Sequence, residues 1–169
     1  MNPKFRITVL TYNRASTLEN NLPFYKALRS DVLQVVDNGS DDLTNEVLNA
    51  FEASESKNCS IDITRSPRNL GFARSFVKAV FMTSEDYHVF LSDEDMPAEH
   101  FLETYREAIH RFGRYGVVAR GNPYPKVWSI DELDKSEIVH DDENFAVFRP
   151  GLYAAHLASY QSVYMGGIC

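Results

Sequence analysis

The sequence predicts an α/β fold, a mostly parallel sheet with helices on both faces. Two observations carry that expectation. Strand-like and helix-like segments alternate along the first two thirds of the chain, and the strand-like runs end in polar loops. Strands are expected at 6–11, 33–37, 61–65, 87–91 and 116–120. After the first, Leu18, Leu22 and Tyr25 form a helical stripe, Ser16 and Glu19 a capping box, and Pro23 is expected to kink or end the helix. After the second, Leu43, Val47, Leu48 and Phe51 fall at helical spacing, with Asp41 or Asp42 placed to cap. The third is followed by Ala73, Phe76, Val77, Val80 and Phe81, and the fourth by Phe101, Leu102, Tyr105, Ile109 and Phe112, where Gly113 stops the helix. Each stripe should pack on the sheet.

Composition narrows the class. A chain of 169 residues with 44% hydrophobic content fits one domain with a sizeable core. The net charge of -7, from 17 basic and 24 acidic residues, argues against a nucleic-acid partner, which calls for a basic face. An anionic substrate then needs a cation or local arginines. The opening residues lack a signal peptide's apolar core, and no stretch approaches the roughly 18 apolar residues of a membrane span, so a cytoplasmic protein is expected. Cys59 and Cys169 show neither metal-ligand spacing nor a disulfide framework.

In an open sheet of this kind, ligands bind beyond the carboxyl ends of the strands, where strand order reverses. The residues just past each strand are therefore the informative ones. Asp93-Glu94-Asp95 follows the apolar run Tyr87-His88-Val89-Phe90-Leu91, and carboxylates at i and i+2 on an extended segment project to one side. Their hard oxygens suit Mg²⁺ or Mn²⁺, which takes remaining ligands from water and substrate phosphates. The plainer reading is an acidic first turn ahead of a helix opened by Pro97 and Glu99. In the first loop, after Thr11, Tyr12 offers a face for a nucleobase or is an ordinary half-buried tyrosine, Asn13 brings an amide, and Arg14 reaches for an anion. Asp37 ends a Val-rich strand before Asn38-Gly39-Ser40; it can accept hydrogen bonds from a base or a ribose, and it is equally a turn residue. Asn69 and Gly71 open a helix whose free N–H groups favour phosphate, beside Arg68 and Arg74. Neither a Walker A loop nor G-x-G-x-x-G is present.

Taken in order, Ile7-Thr8-Val9-Leu10-Thr11-Tyr12-Asn13-Arg14, Val35-Val36-Asp37-Asn38-Gly39-Ser40-Asp41-Asp42, Asn69-Leu70-Gly71-Phe72 and Phe90-Leu91-Ser92-Asp93-Glu94-Asp95 resemble the family 2 glycosyltransferases of GT-A fold. The resemblance spans 5–112, and the tract 69–79 is similar to bacterial members that build surface polysaccharide. It implies a GT-A core at 1–121 that binds a nucleotide-diphosphate sugar, and a partial, short or truncated acceptor region at 122–169. Thr11, Tyr12, Asn13, Arg14, Asp37, Asn38, Asn69, Gly71, Arg74, Asp93 and Glu94 would then meet the donor. Asp93 and Asp95 would hold Mn²⁺ or Mg²⁺. Where relatives often carry an Arg in the third-loop helix, this chain has Phe76, and Arg74 or Arg68 is the substitute.

The same resemblance implies direct displacement with inversion, in polysaccharide or glycoconjugate biosynthesis, onto a saccharide or lipid-linked acceptor. A carboxylate base is required, and the candidates are Asp141 and Asp142 with Glu143 beside them; a solvated charge cluster is the plain alternative. His140 and His156 have no ligand spacing to support a metal role. Trp128 and the aromatic stretch 153–164 line an acceptor site or pack in the core. The apolar end at Gly166-Gly167-Ile168-Cys169 reads as a truncation or as a shortened family member, with a surface for self-association or for contact with the inner face of a membrane. The competing class is a non-catalytic or truncated nucleotide-sugar-binding module. A D-x-D phosphatase is disfavoured, because its motif follows the first strand rather than the fourth.

Overall fold

Four strands pair in parallel, and a helix follows each of them. In the computed structural model, residues 3–54, 59–82, 84–97, 100–112, 116–119, 138–141 and 145–148 are described. The elements are β1 (Phe5–Thr11), α1 (Ala15–Ala27), β2 (Val32–Asp37), α2 (Thr44–Glu52), β3 (Ser60–Arg65), α3 (Phe72–Phe81), β4 (Tyr87–Ser92), α4 (Phe101–Phe112), β5 (Gly116–Ala119), β6 (Ile138–Asp141) and β7 (Phe145–Phe148). The first sheet has the order β3-β2-β1-β4 with every pairing parallel. After β3 the chain crosses to the far side of β1, so the order reverses between β1 and β4, the position at which open α/β sheets bind ligands.

Alternation along the strands divides the faces. Phe5, Ile7, Val9, Leu33, Val35, Val89 and Leu91 join Leu18, Leu22 and Tyr25 of α1, Leu48 and Phe51 of α2, and Phe101, Leu102 and Tyr105 of α4 in one core. Each such aliphatic or aromatic side chain contributes about 1.5–3 kcal/mol on burial. On the other face Phe76 of α3 packs on Phe90, ring centroids 4.3 Å apart. Helices therefore cover both faces, as expected. That second face is polar inside: Thr8 Oγ1 donates to Gln34 Oε1 at 2.9 Å, the His88 ring meets the same hydroxyl through Nε2, and Arg6 reaches Asp62 at 2.8 Å and Glu85 at 2.6 Å.

Six expectations need correction. Leu43, expected in the α2 stripe, is 66% exposed ahead of that helix, and Asp93-Glu94-Asp95 forms a turn after β4 rather than an extended segment, the Asp95 carboxylate bending back to the Ser92 N–H. The helix α1 runs past Pro23 to Ala27, since burial of Leu18, Leu22 and Tyr25 outweighs the one lost hydrogen bond. Its start is not a Ser16–Glu19 box: the residue before it is Arg14, and Asp42 Oδ2 accepts the Ala15 N–H at 3.1 Å from another loop. Among the α3 side chains that are described, Ser75, Ala79 and, in part, Phe76 are packed, while Ala73 and Val77 stay exposed; the side chains of Val80 and Phe81 lie outside the description. Finally, β5 does not extend the parallel sheet; it pairs antiparallel with β7, which pairs with β6, in a separate three-stranded sheet. Gly113 and Arg120 lie outside the described residues.

Candidate functional site

The parallel register aligns Leu10 with Ser92 and Thr11 with Asp37, which places three polar loops on one edge. The acidic turn after β4 is held from below by α1. Asn21 Nδ2 donates to the Asp93 carbonyl at 2.8 Å, and the Tyr25 hydroxyl lies 2.9 Å from the Asp95 carbonyl oxygen. The turn also closes on itself: Asp95 N–H donates to the Ser92 carbonyl at 3.1 Å, and Ser92 N–H to Asp95 Oδ2 at 2.7 Å. From β1, Thr11 Oγ1 donates to Asp93 Oδ2 at 2.7 Å. Arg14 pairs with Glu94 and sets its Nε 3.7 Å from Asp93 Oδ1. Burial pushes the Asp93 carboxyl above its ordinary range, and the hydrogen bond from Thr11 and the charge of Arg14 offset only part of that.

The loops after β1 and β2 are locked together. Asn13 adopts a left-handed φ of +52°, its amide donates to Asp41 Oδ1 at 2.7 Å, and its own oxygen accepts the Asp41 N–H at 2.9 Å. Its backbone N–H donates to Ser40 Oγ at 2.9 Å. Ser40 in turn donates to the buried Asp37 carboxylate through its hydroxyl and through its N–H at 3.1 Å. The loop after β3 joins through Asn38, whose Nδ2 donates to Asn69 Oδ1 at 2.9 Å and whose Oδ1 accepts from Leu70 N–H at 2.9 Å and Ser75 Oγ at 2.7 Å. Gly71 N–H caps Asn69 Oδ1 at 2.8 Å.

The structure thus brings Thr11 and Arg14 onto Asp93 and Glu94, and ties Asn13, Asp37, Asn38, Asn69 and Gly71 into one bonded edge. Tyr12 is 41% exposed at this edge. Arg74 is exposed on α3. Asp141 ends β6, opposite Ala146 of β7, and His140 pairs with Val147 in the same strand pair. Asp142, Glu143, Trp128, His156 and the 153–169 stretch lie outside the described residues. Sequence reasoning missed Asn21, Tyr25, Ser40 and Ser75. The signal available for Tyr25 was a hydroxyl on an apolar helix stripe, which must find a partner when buried.

As a cation site the edge offers carboxylates without a full cage: among the described residues no group of three or more His, Cys, Asp or Glu can hold a metal by itself. Two carboxylate ligands suit a hard ion that completes its shell with water and phosphate oxygens. The Arg14 guanidinium, seated on Asp93 and Glu94, shows that the turn draws positive charge.

The profile of glycosyl transferase family 2 matches residues 7–158. The chain belongs to that family. Its fold is the GT-A arrangement: S. aureus TarS 1-349 superposes with a TM-score of 0.60 at 17% identity, over 72% of this chain and 38% of TarS 1-349. Mannosyltransferase PcManGT from Pyrobaculum calidifontis, solved with GDP-Man and Mn2+, gives 0.64 at 17% identity over 96% of this chain and 48% of its own. A TarS 1-349 complex with UDP gives 0.55 at 18% identity, over 72% of this chain and 38% of that one. This family 2 chain therefore spans less than half the length of each of these structures. No curated protein matches it in sequence.

Proposed function

We propose that the chain binds a nucleotide-diphosphate sugar and serves the transfer of that sugar to an acceptor hydroxyl, with inversion and with Mn²⁺ or Mg²⁺. The observation that carries this reading is the bonded junction at the switch point, where Thr11 and Arg14 after β1 meet Asp93 and Glu94 after β4. A complex with GDP-Man and Mn2+ and a complex with UDP in structures of like fold support it.

In this reading Tyr12 stacks on the base and Asp37, rigid through Ser40, accepts from the nucleoside. Asp93 and Asp95 hold the cation, which would neutralise the charge growing on the leaving diphosphate. Asn69, Gly71 and Arg74 face the donor from the start of α3. Residues 1–121 form the donor core and 122–169 a partial acceptor-side region of the same domain, where Asp141 or Asp142 supplies the base. The acceptor is a saccharide or a lipid-linked saccharide of a bacterial surface polysaccharide, and the reaction runs in the cytoplasm at the inner face of the membrane. No described helix is long and apolar enough to cross a membrane.

Calorimetry with UDP, GDP and dTDP, each with and without Mn²⁺, tests the donor site, and a donor-hydrolysis assay then tests turnover. One diphosphate is expected to bind only with the metal. Binding without hydrolysis would assign a binding module instead. Failure of all three with Mn²⁺ sinks the donor reading.

A further inference from the structure

Arg14 lies against the same acidic turn to which the donor reading assigns the cation. Its backbone is fixed: it stands at the start of α1, and its carbonyl accepts the Leu18 N–H at 2.9 Å. Its side chain is not. It is 42% exposed, and its main partner Glu94 is 66% exposed, so the pair is screened by solvent and cheap to open. Asp93 is different, being 5% exposed overall and approached by Arg14 Nε at 3.7 Å. A buried carboxylate requires a counter-charge, and in this arrangement the guanidinium supplies it.

We propose that Arg14 is the built-in counter-cation of the acidic turn: it competes with the divalent ion for Asp93 and passes to the donor's diphosphate when the ion is bound. The proposal rests on the donor reading above. Two positive groups against one carboxylate repel, so Arg14 weakens binding of the ion alone. A diphosphate arriving at the same edge brings oxygens that match the guanidinium fork. With that new partner Arg14 leaves Asp93 at little cost. Ion and diphosphate then favour each other, and by linkage the coupling is reciprocal. Arg14 thus keeps the turn neutralised when no donor is present and makes tight metal binding conditional on the donor.

The test titrates Mn²⁺ alone, read by electron paramagnetic resonance of the free ion, into wild type, Arg14→Gln and Arg14→Lys. The best-binding nucleoside diphosphate is then titrated at saturating Mn²⁺. Arg14→Gln is expected to bind Mn²⁺ roughly tenfold tighter and the diphosphate roughly tenfold more weakly, two shifts of opposite sign. Arg14→Lys, which keeps the charge, is expected to stay near wild type for the ion. A residue that merely shapes the loop would weaken both together. That result, or unchanged Mn²⁺ affinity in Arg14→Gln, overturns the proposal. If wild type binds a diphosphate with Mn²⁺ while Arg14→Gln leaves the ion's affinity alone, only the role of Arg14 falls; if no diphosphate binds wild type, the donor reading and the hand-over fall together.

Discussion

Gly39 is the residue on which the spacing of two site loops depends. It has φ +79°, and a Cβ built there would lie 2.3 Å from the Arg68 carbonyl carbon, a backbone atom that cannot swing away. Gly71 has nearly the same backbone, φ +80°, with open space around it. The pair separates conformational cost from steric cost. Gly71→Ala is expected to lose about 1 kcal/mol, the penalty for a side chain in the left-handed region, whereas Gly39→Ala is expected to lose about 3 kcal/mol, because the loop after β3 must move as well. Urea denaturation of both variants measures the difference. Gly39→Ala should also weaken nucleotide binding, since Asn38 and Asn69 on the two displaced loops share a hydrogen bond. Equal midpoints for the two variants would refute the close-approach argument.

Two helices begin at one carboxylate. Asp42 accepts the Ala15 N–H at the start of α1 through Oδ2 at 3.1 Å and the Thr44 N–H at the start of α2 through Oδ1 at 2.9 Å. Helix starts leave N–H groups without partners, and negative charge suits the dipole there. Packing repeats the link, because α1 and α2 lie side by side under the same sheet face. Asp42 is held below the ordinary carboxylate range: partial desolvation works against this, and the Ala15 and Thr44 N–H groups outweigh it. The sign follows from that depression. Stability from Asp42 is present above its unfolded pKa near 3.8 and is lost as pH falls through the lower folded value. Asp42→Ala is therefore expected to cost about 1–2 kcal/mol at pH 7 and less at pH 3, measured by denaturant midpoints at the two pH values. A cost that is equal at both would show that the charge does not matter.

At the scale of the molecule, the alternation of strand-like runs and helical stripes was enough to read the four parallel strands, because β1, β2 and β4 are buried along most of their length and the half-buried β3 sets Ile61 and Ile63 against the core. Strand order was not written there, since β3-β2-β1-β4 depends on which edge the chain after β3 crosses to. The short β5 was legible as a strand but not by partner, as four residues carry no pattern that distinguishes one sheet from another. In the site, Thr11, Arg14, Asp93 and Glu94 were legible because loops past parallel strands converge, whereas Asn21 and Tyr25 become visible only when α1 is docked beneath the turn. The polar second face was not anticipated either: Arg6, Thr8, Gln34 and His88 alternate with core residues, and a buried set of this kind is tolerated only when its groups are paired. With the Thr8 hydroxyl donating to Gln34, His88 donates to Thr8 through Nε2 and is neutral. Burial first, and Arg6 second, lower its pKa from 6.5 to about 3, with Glu85 acting the other way. The unfolded chain therefore binds a proton that the fold refuses between these values. Stability is full above pH 6.5 and falls by up to about 1.4 kcal/mol per pH unit below it, reaching several kcal/mol by pH 3. His88→Gln keeps a donor for Thr8 and has no proton to gain, so its stability is expected to fall less steeply than wild type between pH 6.5 and 4. Urea midpoints measured across that range decide it, and parallel curves for the two proteins would place the acid sensitivity elsewhere.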